Sequence, residues 1–198
     1  DNASGVASLL EIAKLYQGFK KDRPKRSVLI VMVTGEEMGL LGSTYFANNP
    51  TVPKDKIVAD INTDMPTILA PLLGIVPLGA EHSTLMATVQ QAAGYLGLEV
   101  MQDHMPTEVR FVRSDQYSFV LQGIPALHIK YGLKTSDPNF DLDGLIKDFT
   151  KNNYHKPSDE LNGSFNFEAG RTYVKLNFLI SYLVANAAER PTWKPESI

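Results

Sequence analysis

Apolar residues recur at helical spacing from Ser4 to Phe19. Val6, Leu9, Leu10, Ala13 and Leu15 mark the repeat, and Asp1, Asn2 and Ser4 offer capping side chains. From Ser27 to Thr34 the pattern becomes a continuous apolar run, SVLIVMVT, rich in β-branched residues. Strands buried on both faces of a parallel sheet read this way, so a central strand is expected there. Helical spacing returns over Gly39–Asn48 and stops at Asn48-Asn49-Pro50. A second strand is predicted over Lys56–Asp64, halted by Met65-Pro66, and a third over Leu73–Leu78. Ser83 to Leu96 reads as an amphipathic helix closed by Gly97, Asp115 to Leu121 as a short helix, and Pro125 to Tyr131 (PALHIKY) as a further strand. A long helix is expected over Phe167–Ala188.

Strands alternating with helices predict an α/β fold: a three-layer sandwich with a mostly parallel central sheet flanked by helices. A stretch of 198 residues fits one domain with a sizeable core. Such sheets bind ligands beyond the carboxyl ends of their strands. Glu36, Glu37, Asp64 and the pair Tyr131-Gly132 all fall at or just past predicted strand ends, so four chemically loaded positions gather on one rim.

Composition narrows the chemistry. A net charge of −3 argues against a general nucleic-acid binder, which needs a basic face. The basic cluster Lys20, Lys21, Arg23, Lys25 and Arg26 is interrupted by Asp22 and Pro24 and reads as a solvated connection. No apolar run approaches the roughly 20 residues that span a bilayer, so no membrane span is expected. The chain has no cysteine, which removes thiolate nucleophiles and Cys-type zinc sites. Any metal must be held by carboxylates and imidazoles.

Each candidate has a plain alternative. Glu36-Glu37 could complement the N-terminus of the following helix, and from the pair alone that reading is favoured. Adjacent carboxylates at a strand end point in different directions, so one can hold a metal while the other reaches an activated water. Asp64 could begin a turn. His155, in Tyr154-His155-Lys156-Pro157-Ser158-Asp159, sits in a polar loop; His128 reads as a core residue, His82 as the start of a helix and His104 as a loop residue. Ser114-Asp115 reads as a cap and first-turn acid. Gly35, Gly39 and Gly42 form a glycine-rich turn with the wrong spacing for a dinucleotide loop, and no G-x-S-x-G elbow, H-E-x-x-H or Walker lysine is present.

Taken in order, Asp-Asn-Ala-Ser-Gly (1–5), Gly-Glu-Glu-Met-Gly-Leu-Leu-Gly-Ser (35–43), Asn-Thr-Asp-Met (62–65) and Tyr-His-Lys-Pro-Ser-Asp-Glu-Leu (154–161) are far more specific than their parts. Arg113-Ser114-Asp115-Gln116-Tyr117-Ser118-Phe119 looks like a further block. The series resembles the co-catalytic zinc aminopeptidases, whose relatives include glutamate carboxypeptidase II and the glutaminyl cyclases. The resemblance implies a zinc exopeptidase acting on peptide substrates. In it Asp1 bridges two zinc ions, Glu37 and His155 complete one, Asp64 binds the other, and Glu36 is the general base. Tyr131-Gly132 resembles the segment lining the cleft beside the scissile carbonyl, and Met65 is a candidate pocket residue.

The pattern departs at its start. Family members carry a histidine in a His-x-Asp motif upstream of the bridging aspartate, and none of the four histidines stands in a matching context. The resemblance therefore implies an N-terminally truncated catalytic domain with one fully ligated zinc position, an exposed sheet edge open to self-association, and a secreted or periplasmic location. Two other readings follow from relatives. One is a single-zinc glutaminyl cyclase, against which Tyr154 stands where that branch has tryptophan. The other is a non-catalytic, receptor-like domain, against which the intact acidic set stands.

Overall fold

The computed structural model describes residues 1–19, 21–161 and 163–197; Lys20 of the basic cluster lies outside them. Helix α1 (Ala3–Gly18) opens the chain, followed by α2 (Leu41–Asn48), strand β1 (Asp60–Asn62) and strand β2 (Gly74–Leu78). Then come α3 (Leu85–Leu96), β3 (Glu99–Val100), α4 (Gln116–Val120), β4 (Ala126–Tyr131), α5 (Leu142–Asn152) and α6 (Phe167–Asn186). The four strands lie in the order β1-β4-β2-β3. β1 runs parallel to β4 and β3 parallel to β2, while β2 and β4 pair antiparallel.

Helices cover both faces. Alternation along β4 sends Leu127 and Ile129 to one side, where with Ile75 they pack against Leu85, Val89 and Ala92 of α3 and Leu176 and Ile180 of α6. Ala126, on the opposite side, packs with Ala47 of α2 and Phe119 of α4. The Tyr173 hydroxyl of α6 donates to the Ile129 carbonyl at 3.3 Å, satisfying the polar end of an otherwise apolar ring in the larger core.

The expected strand at Ser27–Thr34 differs. It joins no sheet among the described residues. Leu29 and Met32 are each 49% exposed, so the segment is not buried on both faces. A strand needs a ladder partner as well as an apolar sequence, and β1 is bonded only to β4. Helix α5 adds an element beyond those expected from the sequence. Asp141 caps it by accepting from the Gly144 amide at 2.8 Å, and Leu142 and Ile146 bury one side. No described helix is long and apolar enough to cross a membrane.

Candidate metal centre and active site

The first carboxylate is placed by its neighbours. Asn2 caps α1, its Oδ1 accepting from Gly5 N at 3.0 Å, and the same oxygen accepts from Met65 N at 2.9 Å. Gly5 lets the helix approach the end of β1 closely: a Cβ there would lie 2.2 Å from the Thr63 carbonyl oxygen. The first five residues and the Thr63–Met65 turn are thus one unit, which sets Asp1 beside the end of β1.

The Glu36-Glu37 turn is shaped by glycine and by left-handed backbone. Gly35 has φ 71°, Gly39 φ 96° and Leu40 φ 58°. Gly42 donates to the Thr34 carbonyl at 2.8 Å, and its Cβ position is blocked by the Thr34 backbone at 2.4 Å. These left-handed residues delay α2 to Leu41, so its first turn holds no acid. The helix-end role for the glutamates therefore fails, and both side chains are free for other work.

His155 is delivered by α5. Asn153 N and Tyr154 N both donate to the Phe149 carbonyl as α5 ends, and His155 follows at φ 57° with Tyr154 stacked on its ring at 3.7 Å. Its Nε2 lies 2.6 Å from Glu37 Oε1 and 3.1 Å from Asp1 Oδ2. Asp1, Glu37 and His155 each offer one ligand atom, all within 4.8 Å of one another, although they are 36 and 118 residues apart in sequence. Two carboxylate oxygens and one imidazole nitrogen, exposed to solvent, form a donor set that suits zinc with a position left open.

Glu36 does not join that trio. Its carboxyl is raised to about 7, first by burial and then by Asp64, Glu37 and Asp115, with His155 opposing. Asp64 lies on the same side of the turn but is held separately: Ser114 Oγ donates to its Oδ2 at 2.7 Å. Asn62 Nδ2 in turn donates to Ser114 Oγ at 3.0 Å and Gln116 Oε1 at 2.7 Å. Ser114 is thus no helix cap, and Asp115, which precedes α4, makes no side-chain capping bond. The reading of Ser114-Asp115 as a cap is corrected, and Ser114, Asn62 and Gln116 emerge as supports that spacing alone did not reveal.

Behind Asp64 stand two side chains of β4. His128 is 1% exposed, and its Nε2 pairs with the Asp64 carbonyl at 2.8 Å. Lys130 Nζ donates to that carbonyl at 3.0 Å and to Met65 O at 3.4 Å. Burial holds the His128 imidazole well below its ordinary value and brings Lys130 down to about 8. Tyr131 and Gly132 line a narrow apolar cleft with Leu72, Leu142 and Ile146. Gly132 is also demanded by packing, since a Cβ there would meet the Gly74 backbone at 2.9 Å. Burial raises the Tyr131 phenol, whose ring lies 5.6 Å from that of His104.

Comparison with known proteins places the chain in a family. The model of peptidase family M28 matches residues 1–172. A probable leucine aminopeptidase 2 of Aspergillus fumigatus is 31% identical over 173 residues, covering 81% of this chain and 33% of that protein. A probable zinc metalloprotease of Pyrenophora tritici-repentis is 33% identical over 107 residues, 48% of this chain and 22% of that one. The fold matches an M28 peptidase precursor from Shewanella amazonensis with a TM-score of 0.68 at 20% identity, over 98% of this chain and 39% of that one. An aminopeptidase from Aneurinibacillus sp. strain AM-1 matches with a TM-score of 0.64 at 21% identity, over 98% and 41%. The chain spans about a third of the first curated relative and about two fifths of these solved structures. It belongs to peptidase family M28.

Proposed function

We propose that the protein is a zinc-dependent aminopeptidase and that this chain carries its general base and most of its metal ligands. The observation that supports it most is the convergence of Asp1, Glu37 and His155, distant in sequence, with Glu36 beside them. In this reading Glu37 and His155 hold one zinc, Asp1 bridges to a second, and Asp64 serves that second ion. Zinc, when bound, supplies Lewis acidity toward the scissile carbonyl and the attacking water.

The remaining work falls to the chain. Glu36 accepts a proton from the attacking water and returns it to the leaving amine. Without metal its carboxyl is raised to about 7 by burial and the neighbouring acids, and bound zinc would draw it down again. Tyr154, stacked on His155, restricts the imidazole to one orientation. Tyr131, Gly132 and Met65 contact the substrate in this reading. A secreted or periplasmic location and self-association along the Ser27–Thr34 segment belong to the same reading.

The test uses the full-length protein with peptides bearing free N-termini. Release of the first residue should stop with chelator and return with zinc. Glu36→Gln should abolish turnover and keep zinc, whereas Glu37→Gln and His155→Ala should lose zinc. Loss of zinc together with activity in Glu36→Gln would refute its assignment as the base.

A further inference from the structure

Asp64 is the least well explained member of the acidic set, because nothing in its own strand aims it. β1 ends at Asn62, and the chain turns at Met65, whose φ of 45° is left-handed for a side chain with no local reason to adopt it. Asn2 meets that turn at the Met65 amide, and its carbonyls are met from β4. The register pairs Asn62 with His128, which sets Asp64 opposite Lys130, and residues 128 and 130 project from one face of β4. Two nitrogens therefore converge on one acceptor: His128 Nε2 and Lys130 Nζ both reach the Asp64 carbonyl, and Lys130 also spans to the Met65 carbonyl.

The lysine is costly there. It makes no salt bridge among the described residues, and its Nζ is committed to two backbone oxygens. The Asp64 and Glu36 carboxylates attract it from beyond contact distance, but burial is the larger effect, and methionine would fill similar space without that cost. Its return is a peptide plane held from behind. With the Asp64 carbonyl pinned by two donors, the carboxylate is met separately by Ser114 Oγ, which donates to its Oδ2 at 2.7 Å.

We propose that Lys130 is a positioning residue for the metal site: its ammonium clamps the Asp64–Met65 carbonyls and so holds the Asp64 carboxylate in ligating orientation, with His128 as second jaw. This rests on the reading of Asp64 as a zinc ligand. Ser114 steadies the carboxylate from its front, Lys130 the peptide from its back, and outer-shell partners of this kind are worth about 10–100-fold in metal affinity.

The test is zinc titration of the full-length protein against a competing chelator, with Lys130→Met, Lys130→Gln and Asp64→Asn. Asp64→Asn identifies the binding step that Asp64 serves. Lys130→Met should weaken that same step by about 10–100-fold and leave the other unchanged. Lys130→Gln, which keeps one donor, should fall between it and the wild type. If either lysine variant folds and binds both zinc equivalents as the wild type does, the clamp is refuted. Equal weakening of both steps would also refute it, since that marks a general structural role. A wild type that binds no zinc, or Asp64→Asn that alters neither step, would overturn the ligand reading and the clamp with it. The two failures are therefore distinct.

Discussion

Asn2 accepts a hydrogen bond from the Met65 amide at 2.9 Å across 63 residues of sequence. Since the same oxygen caps α1, one side chain joins the residue after Asp1 to the residue after Asp64. Asn2→Ala removes both bonds. Loss of a cap alone costs about 0.5–2 kcal/mol, and the stranded Met65 amide adds to it. Asn48→Ala is the control, because that exposed side chain bonds only at the surface, donating to Thr44 O of its own helix and accepting from Gln122 at 3.3 Å, far from the acidic set. The urea midpoint should fall clearly in Asn2→Ala and little in Asn48→Ala, and zinc affinity should fall only in the former. Equal midpoints would show that the tie contributes nothing.

The glycine at position 5 makes a sharper prediction. Its Cβ would fall 2.2 Å from a backbone oxygen, Thr63 O, which cannot swing aside as a side chain can. Gly5→Ala should therefore push α1 away from β1, destabilising the fold by about 1–3 kcal/mol as overpacking does, and weaken zinc binding. Gly94 offers the reverse case within α3: a Cβ there meets nothing within 4 Å. Gly94→Ala should raise stability by about 0.5–1 kcal/mol through helix propensity. Paired melting curves check both signs.

Much of this site was readable in order rather than in pieces. Asp1, Glu37 and His155 are each ordinary alone, and their meeting depends on turns whose glycines and left-handed residues carry no periodic signal. The helix α5 that delivers His155 was legible, since Leu142, Leu145, Ile146 and Phe149 follow helical spacing, but its polar remainder masked it. Ser114 departs from expectation because a serine before a helix usually caps it, and here the long-range bond to Asp64 wins. The strand at Ser27–Thr34 shows the limit of pattern. Apolarity reports an environment suited to burial, whereas a ladder depends on what lies alongside.

Asp60 should make stability depend on pH. Its carboxyl is raised to about 7, first by burial and then by Asp115, and its Oδ2 is buried without a hydrogen-bond partner. Its folded-state value lies above the unfolded one, so between about 4 and 7 the native state holds the proton that the unfolded chain has lost. Its stabilising contribution is full below the lower value and is lost as pH rises through the upper. Asp60→Asn keeps the shape without the charge. It should melt at about the wild-type temperature at pH 4 and several degrees higher at pH 8. A deficit at both pH values would show that the carboxyl is needed for a bond rather than tolerated.

The segment Ser27–Thr34 carries the last prediction. It contains no charged residue and no proline, the usual devices that keep an open edge from pairing, and it has no ladder partner among the described residues. Leu29 and Met32 project into solvent from it. Such an edge can bond backbone to backbone with the same segment of a second copy while those side chains cover each other. Sedimentation of this 198-residue chain should then show association that grows with concentration. Because apolar contact and backbone bonds drive it, added salt should not dissolve it, unlike an ionic contact. Leu29→Lys with Met32→Lys places like charges along the edge and should leave the chain monomeric at concentrations where the wild type associates. If the double variant associates as strongly as the wild type, the contact lies on another face, and the exposed apolar positions of α2, Leu41 and Tyr45, are the next to change.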